Sequence, residues 1–190
     1  RESSGSWTHG AIRQRAEARH AHFGDSVFVL EPEIKEGKGG LRDYHSAFWA
    51  ARIKYHIRSA EELTEHGLLS EKEWKLYSRA LGFLWRVRNQ LHYSHGRRED
   101  RLSFEDQEAM AEGLGYRGGN SLLATEAFLK DYFTHALNIY CLSWNLLEKS
   151  LNEGAASQKG RGLGTPVEIV PGYYLFHGKL ALTDSHLFDR

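Results

Sequence analysis

The sequence predicts a mainly α-helical bundle with one short strand near its N-terminus and a small β hairpin near its C-terminus. Three observations carry this. Apolar residues recur at three- and four-residue steps over two long stretches, Trp74, Tyr77, Leu81, Leu84, Trp85, Val87 and Leu91 in one, and Leu122, Leu129, Tyr132, Ala136, Ile139, Leu146 and Leu147 in the other. Helix start and stop signals bracket several segments. Strand-like runs are confined to residues 27–30 and 173–183.

Taken in order, residues 8–23 read as a helix rich in Arg, Ala and His, ended by Gly24-Asp25. Val27, Phe28, Val29 and Leu30 give the strand signal. Pro32 has no amide to donate to a ladder, so the strand is an edge or stops there. A glycine-rich loop follows at 35–42, and residues 42–58 turn helical, with Tyr44, Phe48, Trp49, Ile53 and Tyr55 as buried candidates. Residues 61–69 read as a short helix and turn. Ser70 and Glu73 have capping-box spacing: the hydroxyl accepts from the Glu73 amide and the carboxylate accepts from the Ser70 amide, opening the first long helix. A shorter helix begins near Ser103 and stops at "GLGY", where Gly113 and Gly115 are C-cap candidates. The last helix covers 121–151. These elements make a helical bundle over 1–152, read as part of a longer protein. A small, polar, glycine-rich linker at 153–165 and a short β segment at 166–190 follow.

The 190 residues carry 25 basic and 25 acidic side chains, a balance that argues against a general nucleic-acid binder. The single cysteine, Cys141, excludes an internal disulfide and reads as a buried, inert thiol. No apolar run is long enough to cross a bilayer and no signal-peptide pattern opens the chain, so a cytoplasmic protein is expected, without membrane contact.

Of the candidate chemistry, "EIKEGKGGLRDYH" is the most concentrated. Gly37, Gly39 and Gly40 permit positive φ and let amides converge on an anion. Lys35 and Arg42 supply full charges, and Arg42-Asp43 sits where a helix begins. There is no Walker loop or dinucleotide fingerprint, so from residues alone the loop reads either as a structural turn or as an anion contact. Glu31 and Glu33, two apart, have the spacing to share a metal, but Pro32 between them favours solvated edge charges. None of the eleven histidines forms a firm metal-ligand spacing, and surface or cap positions are expected for them. "GRREDRLSFEDQ" reads as a solvated loop in which Arg97 or Arg98 pairs with Asp100. In "RVRNQLH", Arg86 or Arg88 with His92 is similar to the Arg–His signature of HEPN ribonucleases, with His92 as acid/base.

"LEPEIKEGKGGLRDYHSAFWAAR" resembles the signature of bacterial PII uridylyltransferase/uridylyl-removing enzymes. A related "GGIR[DE]" stretch occurs in glutamine synthetase adenylyltransferases. The resemblance continues, in order, through "LWRVRNQLHYSHGRREDRLSFEDQEAMAEGLGY", "FLKDYFTHALNI" and "GYYLFHGKLALTDSHLF", and "AIRQRAEARHAHFGD" is similar to the helix that leads into the signature. It implies a nucleotidyltransferase domain upstream, this helical region, an HD-type hydrolase domain and two glutamine-sensing ACT domains. It also implies transfer of UMP from UTP to the PII nitrogen-signalling protein, with carboxylate-bound magnesium over the triphosphate. The paired-aspartate motif and the HD histidines are absent here, so this region is expected neither to transfer nor to remove UMP alone, and to hold no cofactor itself. What the resemblance implies for it is a wall of the nucleotide cleft, with Lys35, Gly39, Gly40, Arg42 and Asp43 adjacent to nucleotide, Lys35 and Arg42 neutralising phosphate, and Asp43 pairing with Arg42 or capping the helix. The other readings are a non-catalytic interaction or interdomain signalling module and the HEPN-like ribonuclease bundle.

Overall fold

A computed structural model describes residues 4–119 and 121–151, together with three four-residue strands nearer the C-terminus. Six helices build the described bundle: α1 Ser4–His22, α2 Leu41–Tyr55, α3 Glu62–Glu65, α4 Glu71–His95, α5 Phe104–Gly113 and α6 Ser121–Leu151.

The longest helix, α6, is the axis on which α2, α4 and α5 pack, while α3 packs on α4. Its inward stripe includes Phe128, Tyr132, Ala136, Ile139, Leu142 and Leu146, all buried at three- and four-residue steps. Against it α4 lays Tyr77, Ala80, Leu84, Val87 and Leu91. α2 brings mostly small residues, Ala47, Ala50 and Ala51, after Leu41. Without bulky side chains between them, α2 and α6 approach closely, and α6 is the principal neighbour of α2. The buried Tyr77 hydroxyl is satisfied by Ser143 Oγ at 2.6 Å, whereas the buried Asn145 Nδ2 and His135 Nδ1 have no hydrogen-bond partner among the described residues. At the far end of α6, Lys149 donates to the Leu68 carbonyl at 2.7 Å and its own carbonyl accepts from Tyr55 at 2.8 Å.

The helix ends follow local chemistry. Ser70 accepts from the Glu73 amide at 3.2 Å and the Glu73 carboxylate accepts from the Ser70 amide at 2.7 Å, completing the expected capping box. Gly96 closes α4 in the left-handed region at φ 61°. The Ser103 hydroxyl caps α5 through the Asp106 amide at 3.2 Å.

Several expectations are corrected. Residues 27–30 form no strand. Among the described residues the one isolated β bridge comes later, Glu33 to Arg101, flanked by Leu102 N–H to the Pro32 carbonyl at 2.9 Å and Ile34 N–H to the Asp100 carbonyl at 2.8 Å. Pro32 takes part only as an acceptor, the role open to it. Among the described residues none pairs with 27–30 as a second strand, and Phe28 and Leu30 are 62% and 78% exposed. The helix expected to reach residue 58 stops at Tyr55, where His56 turns left-handed at φ 55°. Trp49 and Ile53, placed among the apolar candidates, are exposed, because α2 turns its alanine face to α6 and leaves these two outside; Trp85 of α4 and Leu122, in the first turn of α6, are exposed as well.

Beyond α6, β1 Val167–Val170, β2 Tyr173–Phe176 and β3 Lys179–Leu182 pair antiparallel in that order. The expected linker at 153–165, and residues 177, 178 and 183 of the expected hairpin, lie outside the described residues. Among the described residues no helix is long and apolar enough to cross a membrane.

Candidate functional site

The glycine loop is wound tightly onto the start of α2. Gly37 N–H reaches the Glu33 carbonyl at 3.1 Å, Gly40 N–H the Gly37 carbonyl at 2.9 Å, Leu41 N–H the Ile34 carbonyl at 3.0 Å and Arg42 N–H the Lys35 carbonyl at 2.8 Å. Asp43 N–H closes on Gly40 at 3.0 Å. The first amides of α2, which a helix ordinarily leaves open, are therefore taken by the loop. Two further carboxylates fill the inside of the turn. Glu33 accepts from the amides of Glu36 and Gly37, and Asp43 accepts from Gly39 N–H at 2.8 Å. The loop does cradle anions, and they are its own side chains.

The glycines are needed by close approach. Gly39 has φ +79°, and a methyl group there would overlap the backbone carbonyl of Ala136 on α6. At Gly40 a methyl would meet the carbonyls of Ile34, Gly37 and Lys35 at 2.7–2.8 Å. Both residues are buried. The loop rests directly on the α6 backbone, which fixes what it can present outward.

Asp43 anchors the inner face. It is 6% exposed; Oδ1 accepts from Arg19 at 2.6 Å and lies 2.8 Å from His20 Nε2, both on α1. Burial pushes the Asp43 carboxyl up, but His20 and Arg19 more than offset this and hold it below the usual carboxylate range. Arg19 also donates to the Glu36 carbonyl at 2.8 Å, and Lys38 pairs with Asp25 at 2.8 Å while lying over the Tyr140 ring. Glu33, half-buried, is pushed up by desolvation in spite of its two amide bonds.

The outer face is cationic. Lys35 lies 3.3 Å and Arg42 2.7 Å from the same carboxylate, Glu36, and Arg42 grips it with both Nε and Nη2. Chiefly through Arg42, this pairing holds Glu36 below the usual carboxylate range. One turn on, half-buried His45 is pushed down by desolvation and by Arg42, Arg88 and Lys35. Its ring stands 6.5 Å from Trp85, over which the Arg88 guanidinium lies at 5.4 Å. Arg88 and His92 both engage Asp100, at 2.6 and 3.0 Å.

The structure thus divides the five expected site residues. Lys35 and Arg42 meet outside, joined by Glu36; Gly39, Gly40 and Asp43 lie inside. Asp43 pairs with Arg19 and His20, and not with Arg42, because its N3 position on α2 points it back under the loop towards α1. Glu33 is not a solvated edge charge, since the loop closes over it, and Glu31 instead pairs with Arg101. His20, at 4% exposure, is not a surface histidine. Its burial was signalled by Ile12, Ala16 and His20 at four-residue steps. Asp100 pairs with α4, while Arg97 takes Glu99 at 3.2 Å. Among the described residues no group of three or more His, Cys, Asp or Glu is placed to hold a metal ion. Arg42 and Lys35 suit a phosphate and not a metal.

Residues 10–147 match the family model described as GlnD PII-uridylyltransferase. The bifunctional uridylyltransferase/uridylyl-removing enzyme of Rhodospirillum rubrum is 47% identical over 121 residues, 64% of this chain and 13% of the relative. That of Nitrobacter winogradskyi is 41% identical over 183 residues, 92% of this chain and 20% of the relative. The Bradyrhizobium diazoefficiens enzyme of the same name is 42% identical over 123 residues, 65% of this chain and 13% of the relative. The chain therefore spans about an eighth to a fifth of the length of these curated relatives. No solved structure matches the chain.

Proposed function

The chain belongs to the PII-uridylyltransferase family, and from that premise we propose that it is the helical region lining the nucleotide cleft of an enzyme that moves UMP from UTP onto a PII-type signalling protein. The observation that carries this reading is the outward pair Lys35 and Arg42, two cations sharing one carboxylate on a rigid loop. A triphosphate approaching from outside meets side-chain charge already held in place. The glycines contribute by construction: they seat the loop on α6 and leave their amides inside. Magnesium, when bound with UTP by carboxylates elsewhere in the full-length enzyme, supplies charge neutralisation at the transferred phosphoryl group. Residues of this chain would bind and orient.

A second reading, an interdomain signalling module without nucleotide contact, is favoured by one observation: the α2 amides are satisfied internally and the loop is locked to α1 through Asp43. The ribonuclease reading has no such support: Arg88 and His92 are both committed to Asp100, and Arg86, the other arginine it names, lies over the Phe83 ring.

The two supported readings separate in the full-length enzyme. Arg42→Ala and Lys35→Ala are expected to weaken UTP binding about tenfold each, with partial recovery in Arg42→Lys. Unchanged UTP affinity and turnover in both alanine variants would leave only the signalling module.

A further inference from the structure

The surface stripe that opens with Arg42 runs on along α2. Arg42, His45, Trp49 and Ile53 follow one another at steps of three and four residues and fall within an arc of about 80°. The opposite arc carries the buried Ala47, Ala50 and Ala51, so the stripe faces outward. Arg42, Trp49 and Ile53 are exposed and His45 is half-buried. Trp49 lies about 10 Å along the helix axis from Arg42.

Trp49 is 64% exposed, and among the described residues its indole stacks on no other ring and carries no cation. Trp85 differs: Arg88 lies over its ring at 5.4 Å, and the His45 ring is 6.5 Å away. His45 sits between the cation pair and the open indole, and neither of its ring nitrogens hydrogen-bonds a described residue. The helix that carries the stripe is fixed. Its alanines rest on α6, and its first amides are bound by the glycine loop. The spacing from Lys35 and Arg42 to Trp49 is therefore set before any ligand arrives.

We propose that Trp49 is the stacking platform for the base of a nucleoside triphosphate whose phosphates lie at Lys35 and Arg42. This rests on the nucleotide reading of that cation pair and adds where the other end of the molecule goes. Cations that follow phosphate, beside an open aromatic face, are the two contacts that hold a nucleotide without reading its base. His45 lies between them, at the level of the sugar, with its ring nitrogens unused. Trp49 thus positions the base and adds affinity for a nucleoside over a bare phosphate chain.

Binding of UTP and of inorganic triphosphate, which has the phosphates and no base, to the full-length enzyme tests it. Trp49→Leu keeps apolar cover and removes the aromatic face. It is expected to weaken UTP about tenfold and to leave triphosphate unchanged, with Trp49→Phe recovering most of the loss. Arg42→Ala is expected to weaken both ligands. A Trp49→Leu enzyme that binds UTP as the wild type does, or that loses UTP and triphosphate equally, would overturn the platform and make Trp49 a packing residue. A folded Trp49→Phe enzyme that loses as much UTP affinity as Trp49→Leu would overturn it too. Unchanged UTP affinity in both Arg42→Ala and Lys35→Ala would instead remove the cleft reading, and the platform with it, whatever Trp49→Leu does.

Discussion

Gly39 shows how one residue sets the geometry of the loop. Its positive φ and the Ala136 carbonyl against it leave no room for a side chain. Gly39→Ala should therefore destabilise the chain by about 2–4 kcal/mol, read as a lower urea midpoint at unchanged slope. Asp43→Asn removes the one negative charge that both Arg19 and His20 hold, and leaves the Arg19 guanidinium, 13% exposed, without that partner. A loss of about 3 kcal/mol is expected, and a loss under about 1 kcal/mol would show that Asp43 is not the anchor of the loop. The need for glycine at 37, 39 and 40 was legible in the sequence, because consecutive glycines beside a helix start imply special backbone. The partners of Asp43 were not. They come from α1, and nothing local to "GLRD" indicates which helix will lie beneath it.

The helices were legible where their stabilising chemistry is local. The α4 capping box involves residues three apart, and the α4 and α6 stripes repeat at helical period, so the α4 start and most of both buried faces could be read directly, with the exposed Trp85 and Leu122 as the exceptions. α2 was misread on its face and its end. Beyond Leu41 its buried apolar residues are alanines, whose hydrophobic signal is weaker than that of the exposed Trp49 and Ile53. The segment at 27–30 was misread as a strand because β-branched and aromatic composition reports a preference, and pairing needs a partner that only 100–102 supplies, and only for 32–34. Gly82 yields a prediction opposite in sign to that at Gly39. With open space around it and a helical backbone, Gly82→Ala should raise stability by about 1 kcal/mol in thermal or chemical unfolding. A destabilised alanine variant would mean that the helix is not regular there.

Over the whole molecule, fixed charges set the response to pH. Glu36, Asp43, Asp100 and Asp106 are all held below the ordinary carboxylate range. For Asp43, Asp100 and Asp106 burial opposes the shift and cationic or hydrogen-bonding partners overcome it. An acid with a depressed folded value contributes stability that is present above its unfolded value and lost as pH falls through the folded one. Unfolding should thus become easier below about pH 4. His45 and His135 are both pushed down, first by desolvation. As bases with depressed folded values they favour the fold above about pH 6.5 and withdraw that support as pH falls further. Glu33, raised by burial, has the opposite sign: its contribution is present at low pH and fades as pH rises. With six groups against one, the unfolding midpoint should fall in two stages, a shallow one below neutrality and a steeper one in acid, and a midpoint flat from pH 7 to 3 would contradict this. At this scale the sequence was most informative about family, because collinear motifs spread over most of the chain constrain it together. It was least informative about which cations stay uncompensated, since that depends on how helices far apart in the chain are placed.

The carboxylate of Glu36, lying between Lys35 and Arg42, is in effect a tethered competitor. Any anion arriving at that pair must displace a rival permanently present at an effective concentration of about millimolar or higher. A singly charged visitor merely exchanges with its equivalent and gains little. A chain of phosphates brings several charges against one and wins the exchange. The surface is therefore biased towards counting charge and against simply attracting it. Repeating the UTP titration with UMP would read that bias directly, as a gap between the two affinities that narrows once Glu36 is neutralised.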